Sequence, residues 1–206
     1  MNSEKTPLVI ATSNTNKMKE IREFLKPLPF EFFSLRDFPN YVPLEEKGTT
    51  FEENASLKAI DAAKKLQKLV LADDSGIIVP SLKSDLKDVP GVLSKRYAHE
   101  KATDAENRKK LLRALRGKEG LDRSAYFECC IAIADPGGLK KCFRGRCEGI
   151  IVEMEKGNYG FGYDPLFQKY DYDKTFAELS LEIKNRISHR AKALEQAAIY
   201  LESYLR

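Results

Sequence analysis

Apolar residues fall along this chain as short continuous runs alternating with stripes at helical spacing, which predicts an α/β protein. Leu8 to Ala11 form the first run behind Pro7 and predict a strand. A polar turn, Thr12 to Lys17, follows, and Met18, Ile21 and Leu25 then recur at helical spacing until Pro27 ends the helix. Phe30 to Leu35 predicts a second strand, and the proline-containing loop after it carries Glu45 and Glu46. Thr50 and Glu53 have the spacing of a capping box. The helix they open sets Ala55, Ala59, Ala62 or Ala63, Leu66 and Leu69 on one stripe.

Leu69 to Leu71 predicts a strand that runs into a turn holding Asp73, Asp74, Ser75 and Gly76, after which Ile77 to Val79 resume the apolar pattern. Pro90-Gly91 marks a tight turn, and a second capping box, Thr103 to Glu106, opens a helix reaching about Leu115. Residues 124–135 and 142–155 predict two long strands joined through Asp135-Pro136-Gly137-Gly138, a hairpin signal. A loop rich in glycine and aromatics spans Gly157 to Pro165. One last helix follows, with Ile187, Ala191, Leu194, Ala198, Leu201 and Leu205 as its stripe. Strand and helix alternate early, which favours partly parallel pairing. Without repeats or linker-like stretches, residues 1–206 read as a single domain with two lobes.

Composition narrows the class. The 206 residues are 42% hydrophobic and 32% charged, enough for a sizeable core and too apolar for disorder. With 35 basic and 31 acidic residues interspersed, the net charge of +4 argues against a nucleic-acid partner, which needs a concentrated basic face. Cys129, Cys130, Cys142 and Cys147 make no CxxC pair, and only two histidines accompany them, so zinc has poor material. Reduced, mostly buried thiols in the cytosol are the expectation. The opening MNSEKTPLVI lacks a signal-peptide core, and no uncharged apolar run suits a membrane helix. The reading is a soluble, cytoplasmic protein without a membrane partner.

Four places carry candidate chemistry. Asp73 and Asp74 are adjacent anions that repel and are costly to desolvate unless cations or donors compensate them. Their hard oxygens suit Mg²⁺, which binds through one or two carboxylates plus substrate phosphates; an ordinary acidic turn with Gly76 at positive φ is the alternative. The turn Thr12, Ser13, Asn14, Thr15, Asn16, Lys17 sits where a helix N-terminus attracts phosphate, and Lys17 stands at the end the dipole disfavours for a cation. It is no Walker loop, and Asn14 acting as a plain cap stays open. Glycines on either side of Phe161 let backbone approach a ligand, and the ring offers a stacking face. Gly162, Tyr163 and Asp164 add hydrogen-bonding groups, with an aromatic-packed connector as the alternative. Lys184, His189 and Arg190 open the last helix, where cations suggest an anionic or carbonyl partner rather than a solvated face.

In order along the chain, ATSNTNKMKEI (11–21), EEKGTTFEENASLKA (45–59), ADDSG (72–76) with PGVLSKRYA (90–98), YGFGYDPLF (159–167) and TFAELSLEIKNRISHRAKAL (175–194) resemble the inosine triphosphate pyrophosphatase (Ham1-like) family. The resemblance implies a long mixed β-sheet flanked by helices, forming two lobes with the active-site cleft between them, and a homodimer. It implies a Mg²⁺-dependent enzyme that converts ITP, dITP and XTP to the monophosphate and pyrophosphate, clearing deaminated purines from the nucleotide pool. By the same resemblance Thr12 to Lys17 grip phosphate, Asp74 is general base and metal ligand, and Ser75 touches substrate. Glu45 is a second metal ligand, with Glu46 and Glu53 as weaker candidates. Phe161 to Asp164 hold the base, with Phe161 stacking on it, and Lys184, His189 and Arg190 read the purine and support the phosphates. Ser13 and Asn16 stand where the family usually has glycine, and Leu93 where it often has tyrosine, so the turn geometry is expected to differ.

Overall fold

A computed structural model describes residues 5–82 and 90–205. The opening residues 1–4, part of the segment read for a signal peptide, lie outside that description. The elements in chain order are β1 (Thr6–Ala11), α1 (Thr15–Leu25), β2 (Phe30–Ser34), α2 (Phe51–Leu66), β3 (Leu69–Ile78), α3 (Asp104–Ala114), β4 (Ser124–Asp135), β5 (Gly138–Ile151), β6 (Phe167–Lys169), α4 (Leu181–Ile187) and α5 (His189–Tyr204). The strands form one six-stranded sheet in the order β2-β1-β3-β4-β5-β6. β1 runs parallel to both neighbours, with Leu8 opposite Phe32 on one side and Leu69 on the other. β6 pairs antiparallel with β5, Ile150 facing Gln168. The sheet is therefore mixed, as the alternation of runs and stripes implies.

Helix starts follow the capping chemistry written in the sequence. Asn14 accepts from the backbone N–H groups of Asn16 and Lys17, and Thr50 and Thr103 each close a full capping box. The last helix is two helices. Ser188 takes an extended conformation, which separates α4 from α5 immediately before His189.

The chain divides into two compact units. One comprises Met1–Asp74, Cys129–Gly145 and Arg190–Arg206, the other Ser75–Glu128 and Arg146–His189, so β3, β4 and β5 contribute residues to both. The first unit has its own core, in which Leu8, Ile10, Ile21, Leu25, Leu71, Ile131 and Leu194 are buried; full burial of each such side chain contributes about 1.5–3 kcal/mol. The second has a core of Ile77, Leu111, Phe127, Ile151, Phe167 and Phe176, with Phe127 lying edge-on to Phe167 at 4.7 Å. Arg123 is buried in this unit because its guanidinium donates to the carbonyls of Ile151, Val152 and Leu115, which closes the ends of a strand and a helix.

The expected turn at Asp73 to Gly76 is not a turn. β3 runs unbroken through both carboxylates and Gly76. A strand keeps two buried neighbouring anions only if each is compensated, and the compensation is what builds the site.

Candidate active site

Asp73 and Asp74 point to opposite faces of β3, as successive strand residues must, and meet different partners. Asp73 is buried with Arg190, whose Nε donates to Asp73 Oδ2 at 3.0 Å. Lys17 Nζ also pairs with Asp73, the Cys129 thiol donates to it at 3.0 Å, and Arg190 reaches on to Glu20. Burial alone raises a carboxyl pKa, but Arg190 and Lys17 outweigh it and hold Asp73 well below the ordinary carboxylate range. Asp73 is a fixed anion.

Asp74 is the opposite case. Burial pushes its pKa up, and Lys58 and Lys17 only partly offset that. Asn54 Nδ2 donates to Asp74 Oδ2 at 3.1 Å, while Asn54 Oδ1 accepts from the Gly48 N–H at 2.7 Å. Lys58 Nζ donates to the Asp73 carbonyl at 2.6 Å and to Glu46 at 2.9 Å, and stands 3.5 Å from Asp74 Oδ1. Burial opposes the Lys58 charge, yet Asp74 and Glu46 outweigh it and keep the ammonium above its usual pKa. A carboxylate raised toward neutrality, tethered by an amide and flanked by a lysine, suits proton transfer at an attacking water.

The structure brings Glu46, rather than Glu45, to this group. The Glu45 side chain is 78% exposed and pairs with Lys47 at 3.0 Å, whereas Glu46 reaches Lys58. Glu53 spends its carboxylate on the backbone N–H groups of Thr49 and Thr50, as the capping box requires. In the first-helix turn, Ser13, Thr15 and Asn16 are exposed, Thr12 accepts from the Asn14 N–H, and Asn14 caps the helix. Lys17 turns toward Asp73. Arg190, expected against substrate, is 2% exposed and committed to Asp73 and Glu20.

The second unit holds the aromatic loop. Lys184 Nζ bonds Asp164 at 2.5 Å and lies 4.7 Å from the centroid of the Phe161 ring. The Asp164 carboxylate also accepts from the Phe161 N–H at 2.9 Å. Gly162 is held at both ends, its N–H donating to Asp104 and its carbonyl accepting from Arg108. Tyr163 is buried with its hydroxyl donating to the Ser94 carbonyl at 2.8 Å. His189 is buried and stacks on Phe127 at 4.6 Å and 11°. Ser75, half-buried, follows Asp74 on β3. Asp164 and Tyr163 thus fix the loop, and Phe161 is its half-buried ring. Gly160 has φ +77, and a Cβ there would collide with the Asp164 carboxylate. Gly160→Ala should therefore lose about 1–2 kcal/mol from the left-handed conformation alone. A urea midpoint equal to that of the wild type would show that the loop relaxes around the methyl.

Two residues the sequence reading passed over are central here, Asn54 and Lys58. They stand four apart on α2 beside Ala55 and Ala59, and polar groups at helical spacing next to an alanine stripe were the available signal. Among the described residues no group of His, Cys, Asp and Glu side chains makes a ready metal cage. No helix among them is long and apolar enough to cross a membrane.

Known proteins match this chain along nearly its whole length. The family model described as the Ham1 family matches residues 8–200. A dITP/XTP pyrophosphatase of Protochlamydia amoebophila is 50% identical over 95% of this chain and 98% of its own. The Chlamydia abortus protein of the same name is 52% identical over 96% of this chain and 95% of its own. A solved HAM1 protein from Coxiella burnetii superposes with a TM-score of 0.86 at 41% identity, covering 96% of this chain and 99% of that one. On sequence and fold together, the chain belongs to the Ham1 family.

Proposed function

We propose that this protein is a nucleoside triphosphate pyrophosphatase acting on dITP, XTP and ITP, releasing the monophosphate and pyrophosphate. The observation that carries the reading is the state of Asp74: raised in pKa by burial, tethered by Asn54 and flanked by Lys58 and Glu46. The relatives named dITP/XTP pyrophosphatase supply the substrate class.

Asp74 orients the attacking water and accepts its proton, which its raised pKa favours. Lys58 keeps that carboxylate and Glu46 in place, and Lys17 adds positive charge near the first helix. Arg190 acts at one remove, fixing Asp73 and through it Lys17. Asp74 and Glu46 fit Mg²⁺, because two hard carboxylates flank one cationic position and that ion completes its shell with phosphate oxygens and water. When bound, the ion would neutralise charge on the phosphates. In the second unit, Phe161 offers its face to the purine, with Lys184 and Asp164 holding the ring. A donor aimed at O6 accepts hypoxanthine and xanthine and meets another donor in adenine, a mismatch that costs roughly 1–3 kcal/mol. The same reading takes the enzyme to be a cytoplasmic homodimer.

Incubation with ITP and Mg²⁺ followed by product identification is the direct test. IMP with pyrophosphate is expected, and IDP with orthophosphate would overturn the assignment. Phe161→Ala should raise KM for dITP about 5- to 100-fold with kcat little changed, because base–aromatic stacking is worth roughly 1–3 kcal/mol. An unchanged KM would place the base away from this ring.

A further inference from the structure

The proposed reaction uses none of the four cysteines, yet two of them form a site of their own. Cys129 and Phe143 are buried in the core of the first unit. One step along each of β4 and β5 turns Cys130 and Cys142 to the other face of the sheet. There the two thiols hydrogen-bond each other, and Ser56 on α2 lies 3.1 Å from Cys142 Sγ. Cys130 is buried and Cys142 half-buried, so peroxide has access to Cys142.

We propose that Cys130 and Cys142 are a reversible oxidation site, with Cys142 the thiol attacked by peroxide and Cys130 the thiol that resolves it. Directly opposed positions on antiparallel strands stand about 4.5–5.5 Å apart at Cα, which is within disulfide reach. The groups around the pair favour this division of labour. The Cys130 hydrogen bond and the Ser56 contact lower the Cys142 thiol to about 7 against the opposing effect of burial, with Arg144 helping and Glu52 working the other way. The same hydrogen bond, together with burial, pushes Cys130 up, so it stays protonated until it reacts.

In the first step the Cys142 thiolate attacks one peroxide oxygen. An S–O bond forms, the O–O bond breaks, and hydroxide leaves; sulfur is oxidised and peroxide reduced. In the second step Cys130 sulfur attacks Cys142 sulfur. The S–S bond forms, the S–O bond breaks, and water departs carrying the Cys130 proton. The link would take Cys142 away from Ser56, which sits on α2 between Asn54 and Lys58.

The test treats the purified full chain with hydrogen peroxide, blocks free thiols, and maps peptides without reduction, sequencing through the Cys129-Cys130 bond. A Cys130–Cys142 cystine, lost on adding dithiothreitol, is expected, with the intact mass lower by two hydrogens. Cys142→Ser should abolish the cystine. Cys130→Ser should leave a sulfenic acid at Cys142 that dimedone labels. Sulfinic acid at Cys142 of the wild type without a cystine, a cystine to Cys129 or Cys147, or wild-type oxidation rates in both variants would each overturn the proposal.

Discussion

Asp74→Asn should lower the rate of pyrophosphate release from dITP by about 10²–10⁴-fold, the range lost with a general base, while nucleotide binding stays measurable. The substitution is close to isosteric. Its amide oxygen can still accept from Asn54 Nδ2, now 3.1 Å from Asp74 Oδ2, so α2 and β3 keep their tie. The proton acceptor and one negative charge beside Lys58 are lost. Steady-state rates with a coupled pyrophosphate assay, set beside dITP binding by calorimetry, separate chemistry from folding. A rate within about tenfold of wild type would remove Asp74 from the proton transfer, since even a modest general base contributes more than that. Glu46→Gln and Glu45→Gln give the internal comparison. Glu46 bonds Lys58 beside Asp74, so its loss should depress the rate. Glu45 pairs with Lys47 in solvent, so its loss should leave the rate near wild type.

What could be read in the sequence is what depends on neighbouring residues. The caps at Asn14, Thr50 and Thr103 are local bargains between a side chain and the N–H groups two or three residues on, and all three form as spaced. The period of apolar residues likewise places β1, α1, β2, α2 and α3 to within a few residues. What escaped depends on partners far along the chain. Two adjacent aspartates look like the end of a strand because nothing near them offers compensation. Arg190, 117 residues away, and Lys17 supply it for Asp73, and β3 continues. Which of two adjacent loop glutamates faces inward is set by Lys58, and spacing carries no information about that choice. The break at Ser188 hides inside a sustained helical stripe, since the residues on either side keep the apolar period while a single extended residue redirects the axis.

The largest stability effect is expected at the charge cluster behind the site. Asp73→Ala leaves Arg190, 2% exposed, without the carboxylate its Nε donates to. Removing one partner of a buried ion pair typically costs about 3–5 kcal/mol, most of it the desolvation of the charge left behind. For a chain of this size each kcal/mol lowers Tm by about 2–4 °C. Arg190→Met should cost less, because Lys17 and the Cys129 thiol remain on Asp73 while only Glu20 loses its partner. The double variant should cost less than the two single changes added together, because the second substitution removes the orphan created by the first. Chemical denaturation of the four proteins closes the cycle. Additive costs, or a single-variant cost under about 1 kcal/mol, would mean that the cluster is hydrated and that the buried-pair penalty does not apply. The cycle also bears on catalysis: with Asp73 held ionised on one face of β3, the next residue along can stay near neutrality on the other. One strand thereby presents a permanent anion to the basic side chains that brace it and a proton-accepting carboxyl to the water that must be activated.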